Sequence, residues 1–282
     1  MPWIEYDKPN RNSQIWFRKQ YIFPDAPTKA CISIASIGKY VLYINERNVS
    51  RDVLLPYNDS EKIGIMTFDV TRFLKKGTNT VAIWYSPDLK YNFKEQISLY
   101  FYGQTKNNYL FSFTSDSTWL CKESNVYIDN EGNEVINAPE YTGTWKSEDF
   151  SISEWQLATS SNYNSQIYYT DITPVHKAER ISKIYEGEQI ENCGDSILCD
   201  FGQSFSGWVR ITLRGARKGG TINVNGLKYT CTGLTDEQAC RRFTKSESGR
   251  VMIIGYGNIS LDNIMKIEGI RIEPYIHNSY LY

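Results

Sequence analysis

Residues Asn79–Tyr85 read NTVAIWY, and Lys39–Ile44 read KYVLYI. Both are short runs of β-branched and aromatic side chains, and the turn cluster Asn45-Glu46-Arg47-Asn48 closes the second. Such runs suit a pleated, half-buried strand, where branched side chains pack well, better than a helix, which restricts their χ1 angles. The same texture recurs outward in both directions. It marks Ser13–Tyr21, Lys29–Ser36, Lys62–Phe68, Gln96–Gly103 and Tyr109–Thr114. Further on it marks Ile181–Tyr185, Ser196–Phe201, Gly207–Leu213, Gly220–Val224, Arg250–Ile254 and Met265–Ile272. Asp69–Gly77 (DVTRFLKKG) reads as one helical turn closed by a glycine C-cap. No window longer than about twelve residues keeps an apolar stripe at i, i+3, i+4, i+7 clear of Gly and Asn. Short strands without long helices predict an all-β chain. Ser147–Ala158 is polar and serine-rich with Trp155 as a plug, and reads as the end of a first unit. The predicted organisation is two antiparallel β-sandwiches in tandem: residues 1–160, a linker over 161–176 ending at His176, and residues 177–282.

The 282 residues suffice for a full hydrophobic core without disulfides. Lys and Arg number 31 and Asp and Glu 32, a net charge of −1 that argues against a nucleic-acid partner. No stretch approaches the length of a transmembrane helix, so no membrane partner is expected. The opening MPWIEYDKPNRN lacks the basic and apolar regions of a signal peptide. With Met1 as the native start the expectation is cytoplasmic; with a leader already removed it is periplasmic or secreted. Of the six cysteines, Cys31 lies in an apolar run, and Cys193/Cys199 and Cys231/Cys240 lack CxxC spacing. They read as free or locally paired thiols, a Cys231–Cys240 bridge requiring an oxidising compartment.

His176 and His277 sit in no nucleophile motif, and the chain lacks a GxSxG elbow, a P-loop, an HExxH helix and a dinucleotide fingerprint. GQSFSG (Gly202–Gly207) is a turn leading into a strand. A pair of carboxylates would suffice for a glycosidase, but no pair stands out from the 32 acids. The 21 tyrosines are mostly accounted for by strands, leaving aromatic residues near turns as the lead. Sugars stack their apolar C–H faces on rings and need amide or carboxylate partners for their hydroxyls. The candidate carbohydrate-binding set is Trp84, Tyr85, Asp88, Tyr91 and Asn92, around the loop Ser86–Gln96. Taken singly, each aromatic reads rather as core or inter-domain packing, with Trp84 and Tyr85 finishing a core strand, one side in and one side out; it is as a group that the loop forms a binding set. Tyr57, Asn58 and Asp59 form a second cluster, also readable as an ordinary turn after Pro56.

Whole segments carry a resemblance. Phe17-Arg18-Lys19, KYVLYINERNV (Lys39–Val49) and TFDVTRFLKKGTNTVAIW (Thr67–Trp84) resemble the amino-terminal β-sandwich of bacterial α-L-rhamnosidases, as do SDSTW (Ser115–Trp119), EVINAPEY (Glu134–Tyr141) and DFSISEWQLA (Asp149–Ala158). CDFGQSFSGWVRITLRG (Cys199–Gly215) and EGIRIEPY (Glu268–Tyr275) are similar to the next sandwich of those enzymes. The resemblance implies a jelly-roll, galactose-binding-like first sandwich and a concanavalin-like second. It also departs from the pattern: Glu46 stands where a glycine usually follows Asn45, and Gly269-Ile270-Arg271-Ile272 lacks the usual aromatics. In the family an (α/α)₆ barrel follows these sandwiches and performs inverting hydrolysis with two separated carboxyls. The chain stops at Tyr282, soon after the closing strand, so no catalytic residue carries over. The resemblance therefore implies a non-catalytic protein that binds glycans or supports a glycosidase. The alternative is the amino-terminal part of a split or truncated inverting α-L-rhamnosidase, acting with a separate catalytic domain or subunit. A structural Ca²⁺ is a further expectation of such a module, with ligands the sequence does not name.

Overall fold

The computed structural model describes residues 2–7, 12–57, 63–88, 96–161, 172–175, 177–192, 194, 196–256 and 259–276. Every regular element among them is a strand or a short 3₁₀ turn, so the all-β expectation holds. The chain forms two compact units. The first comprises Met1–Glu123, Thr142–Ala178 and Tyr275–Tyr282; the second comprises Ser124–Tyr141 and Glu179–Pro274.

In the first unit, Gln96–Thr105 and Pro27–Ser36 pair antiparallel at the centre of a seven-stranded sheet. Trp3–Glu5 and Thr159–Ser161 extend one side, Ile63–Asp69 and Ile172–Pro174 the other, and Leu110–Thr114 adds beside Gln96–Thr105. The opposing sheet is built on Ser13–Phe23, Gly77–Ser86 and Lys39–Ile44. Alternation decides which residues face inward, because successive side chains of a strand point to opposite faces. Ile32, Ile34, Leu99 and Phe101 from the first sheet thus share one core with Ile15, Phe17, Leu42 and Ile83 from the second. Phe23 closes one end, with its ring 4.7 Å from Phe111 and 5.9 Å from Phe101. Each large apolar side chain buried this way contributes roughly 1.5–3 kcal/mol.

The segments that carry the rhamnosidase resemblance are polar pins in this unit. The hairpin between Lys39–Ile44 and Arg47–Asn48 turns on Asn45 and Glu46, both at positive φ (49° and 68°). That is the type I′ geometry of a two-residue hairpin, kept although Glu46 replaces glycine. The Asn45 amide donates to the Phe73 carbonyl and to Asn79 Oδ1, each at 2.9 Å. Asn79, fully buried, also accepts from the Lys75 N–H and donates to the carbonyls of Lys75 and Gly77. Asp69 accepts from the Thr71 N–H, and Thr71 Oγ1 accepts from the Ala30 N–H, both at 2.9 Å. The expected helical turn is shorter than its sequence suggests. It is a 3₁₀ turn over Thr71–Phe73 that ends in an extended Leu74. Gly77, at φ 87°, begins the next strand instead of capping the turn, because the Asn79 side chain takes over the backbone groups of Lys75.

The second unit is centred on Ser196–Arg214, which pairs antiparallel with Glu188–Asn192, Ser246–Tyr256, Asp236–Ala239 and Ile264–Ile276. Phe201, Phe205, Ile211 and Leu213 line its core with Ile222, Val224 and Ile253. Ser196–Arg214 is one long strand through the predicted GQSFSG turn, with a register shift between Asp200 and Phe205. Asp200 accepts from the Gly202 N–H at 2.7 Å and from Arg250 Nε at 2.7 Å. At Gly207 a Cβ would lie 1.9 Å from the Ile270 carbonyl oxygen, so the cross-strand approach requires glycine. Glu134–Asn137 joins this unit as a parallel neighbour of Leu227–Thr230. Buried Glu134 fastens it there by accepting from the backbone N–H groups of Arg242, Phe243 and Thr244.

Candidate functional site

Trp84 and Tyr85 end the strand Gly77–Ser86, and alternation sends them opposite ways. Tyr85 enters the core, edge-on to Phe17 at 6.4 Å, with its hydroxyl donating to the Ile37 carbonyl. Trp84 lies on the other face, edge-on to Trp16 at 5.8 Å and to Trp145 at 6.1 Å. Both rings are buried. Asp88 follows, half-buried. Tyr91 and Asn92 lie outside the described residues, as do Asn58, Asp59, His176, His277 and Cys193. Tyr57 is half-buried, with Lys177 Nζ 5.9 Å above its ring. Cys31, Cys121, Cys199, Cys231 and Cys240 are free thiols.

The face that Trp84 occupies is covered. The turn Gly143–Lys146 lays Trp145 against Trp16, ring centroids 5.2 Å apart and 9° from parallel. Trp145 has no exposed surface, so it, and not half-buried Trp155, is the plug. Lys146 Nζ sits 4.4 Å over the Tyr43 ring, and Gln20 Nε2 donates to the Glu148 carbonyl at 2.9 Å. Arg18, 1% exposed, lies 3.3 Å over the Phe150 ring and donates from Nη1 to the Trp145 carbonyl. Burial holds its guanidinium down to about 10.

The outer face of the seven-stranded sheet is buried at the end that carries Trp3, Ser98 and Ala35, and is partly exposed at the other end, around Tyr102. Tyr100 and Tyr102 stack with centroids 4.9 Å apart at 27°, and Tyr102 is 36% exposed. Register places Ser33 beside Tyr100 and Cys31 beside Tyr102 on one side, and Thr114 and Ser112 on the other. Thr67 and Asp69 follow one strand further on. Ser33 and Thr67 share a hydrogen bond of 2.8 Å, and Ser112 Oγ donates to the Tyr100 hydroxyl at 3.1 Å. Burial raises the Tyr102 phenol, with Cys31 and Tyr100 adding to the shift. Burial, then Asp69, raises the Cys31 thiol. The result is a patch of two rings and several hydroxyls, with exposed Asp69 at its edge. Sequence reasoning placed Gln96–Gly103 as a strand but did not single out these tyrosines. The signal was there in the alternation Ser98, Tyr100, Tyr102, Gln104, once the partner strand fixes which face is core.

In the second unit a cavity of about 290 Å³ is lined by Gly187, Gln189, Ile197, Ile264, Ile267 and Lys266, among others. Lys266 bridges Glu268 at 2.9 Å and Glu186 at 3.5 Å, and Arg210 reaches Glu268 at 2.7 Å. Burial alone would raise the Glu268 carboxyl, but hydrogen bonds from Lys266 and Arg210 together hold it below its ordinary value. A carboxylate held ionised is suited to an ion pair, not to donating a proton to a leaving group. Among the described residues no group of three or more His, Cys, Asp or Glu side chains is placed to hold a metal ion.

Residues 25–179, more than half of the chain, match the model of the family described as the α-L-rhamnosidase N-terminal domain. No curated protein matches in sequence. Among solved structures, the α-L-rhamnosidase of Dictyoglumus thermophilum is similar at 20% identity with a TM-score of 0.82, over 96% of this chain and 35% of that one. The enzyme of Aspergillus terreus is 19% identical with a TM-score of 0.83, over 96% and 36%. That of Streptomyces avermitilis, solved with L-rhamnose, is 19% identical with a TM-score of 0.80, over 94% and 29%. The chain thus spans about a third of the length of these enzymes, and at such identities the likeness is one of fold.

Proposed function

The chain belongs to the family of the α-L-rhamnosidase N-terminal domain, and from that premise we propose that it is a non-catalytic, carbohydrate-associated β-sandwich protein. It binds a glycan, or holds one near a glycosidase that cleaves it. The observation that carries this reading is the partly exposed end of that face of the first unit, where stacked Tyr100 and Tyr102 stand among serine and threonine hydroxyls. Rings offer a stacking surface to sugar C–H groups, and hydroxyls exchange hydrogen bonds with sugar hydroxyls. The finer architecture we propose is a jelly-roll first sandwich and a concanavalin-like second, as the resemblance implies. Affinity is weak, because a short saccharide buries little area and its polar groups must be desolvated.

The test is calorimetric titration of the intact chain with a rhamnose-containing and a galactose-containing oligosaccharide, alongside an assay on an aryl α-L-rhamnoside. Millimolar binding without turnover is expected. Turnover above background, or no heat with either sugar, contradicts the reading. A second reading is favoured by the cover of nearly the whole chain on a third of three rhamnosidases. In it the chain works with an inverting rhamnosidase catalytic domain carried on another polypeptide. Restored rhamnosidase activity on mixing with such a domain would single it out.

A further inference from the structure

We infer that the glycan contact of this protein is the outer face of the seven-stranded sheet, centred on Tyr102 and Tyr100, and that its ligand is an uncharged saccharide laid across the strands. The inference rests on the carbohydrate reading and adds the place and the ligand class. Three observations converge. First, Tyr102 is a large aromatic ring left 36% exposed on a strand whose alternate residues, Leu99 and Phe101, are core. Its position is fixed from both sides, by Cys31 of one neighbouring strand and Ser112 of the other. A stacking ring held by its sheet loses little conformational freedom when a ligand binds.

Second, the polar groups around the rings are mostly hydroxyls, those of Thr67, Ser112 and Thr114 with the phenols themselves, while buried Ser33 is hydrogen-bonded to Thr67. Each donates and accepts, which matches the hydroxyls of a sugar. Third, the exposed charges described near the rings balance, and the face's further carboxylate, Glu5, is buried and accepts from Gln96 Nε2. Lys29 and Asp69 are the charged positions on Pro27–Ser36 and Ile63–Asp69, both exposed, and Asp69 already accepts from the Thr71 N–H. That balance complements a neutral polymer and offers nothing to a phosphodiester or a polyuronate, which require a cationic surface. By contrast, Trp84 and Tyr85 are buried, and Tyr109, 58% exposed, precedes the strand Leu110–Thr114 and is not held in a sheet as Tyr102 is.

The experiment compares the intact chain with its Tyr102→Ala, Tyr100→Ala and Asp88→Ala variants, titrated calorimetrically with the same two oligosaccharides. Tyr102→Ala is expected to weaken binding about tenfold or more, the loss of roughly one stacking contact. Tyr100→Ala is expected to weaken it several-fold, and Asp88→Ala to leave it unchanged. An unfolding midpoint within about 2 °C of the intact chain shows that the tyrosine variants are folded. Tyr102→Phe, which keeps the ring, is expected to retain most of the affinity. Unchanged binding by both tyrosine-to-alanine variants, or a loss confined to Asp88→Ala, overturns the inference while leaving the carbohydrate reading intact. Absence of binding by the intact chain overturns that reading, and this inference with it.

Discussion

Outside the core of the first unit, one sheet carries Trp16, Trp84 and Arg18 beneath Trp145, whereas the other carries Tyr100, Tyr102, Ser33 and Thr67 facing outward. Both faces are rich in aromatic side chains, and only the covering differs. On the first, the turn Gly143–Lys146 converts an apolar face into a second, smaller core. On the second, buried Trp3 packs with Ala35 at one end, and toward the other end the rings are phenols with hydroxyls between them. The comparison teaches that the covering segment, and not the number of aromatic residues, decides which rings stay accessible.

The hardest blow to that comparison would be removal of the cover. Trp145→Ala is expected to cost about 3–5 kcal/mol in urea unfolding, as expected for truncating a fully buried Trp. A loss below about 1 kcal/mol would mean that the face is not held shut by its plug. Next comes the pin below the same sheet. Asn79→Ala should cost about 1–3 kcal/mol by the same measurement, since it empties a fully buried position and removes partners of the Asn45 amide and of the Lys75 and Gly77 backbone.

A smaller effect of opposite sign is expected at the hairpin. Asn45-Glu46 and Asn225-Gly226 make the same turn, all four residues at positive φ, but only one uses glycine. Glu46→Gly should therefore raise stability by about 0.5–1 kcal/mol. The smallest stability change belongs to the partly exposed face, where Tyr102→Ala should shift unfolding by about 0.5 kcal/mol or less. Glycan binding there should also be flat from about pH 6 to 8, because the Tyr102 phenol and the Cys31 thiol are both raised and keep their protons there. For stability the sign follows from the same shift. A phenol whose folded value is raised above its ordinary 10.0 contributes fully below that pH, and the contribution is lost as pH rises past it. A binding optimum inside the neutral window, read by repeating the titration across it, would place a titrating group at the contact and contradict the neutral face.

Much of the fold was legible because strands announce themselves locally. KYVLYI, NTVAIWY and YLFSFT are strands as read, and the segments DVT…GTN and FGQ…GWV hold the folded chain through side chains that sequence displays directly. What local sequence could not carry was pairing. The exchange of Ser124–Tyr141 into the second unit depends on Glu134 meeting backbone more than a hundred residues away. The length of the turn after Asp69 depended on a side chain at Asn79. The candidate site was legible only in part, and two of its residues, Tyr91 and Asn92, lie outside the described residues. Trp84 and Tyr85 drew attention as aromatics beside a loop, yet which face of a strand is covered is decided by a distant segment, here Thr142–Phe150. Tyr100 and Tyr102, inside a strand, carried no turn signal at all.

The central claim is that the uncovered tyrosines, and not the loop after Trp84, meet a sugar. The most direct measurement is the ratio of dissociation constants for the rhamnose-containing oligosaccharide between the Tyr102→Ala variant and the intact chain, with Asp88→Ala titrated in parallel. The account predicts a ratio of about ten or more for Tyr102→Ala and close to one for Asp88→Ala. A ratio near one for Tyr102→Ala, with the loss appearing in Asp88→Ala instead, would contradict it.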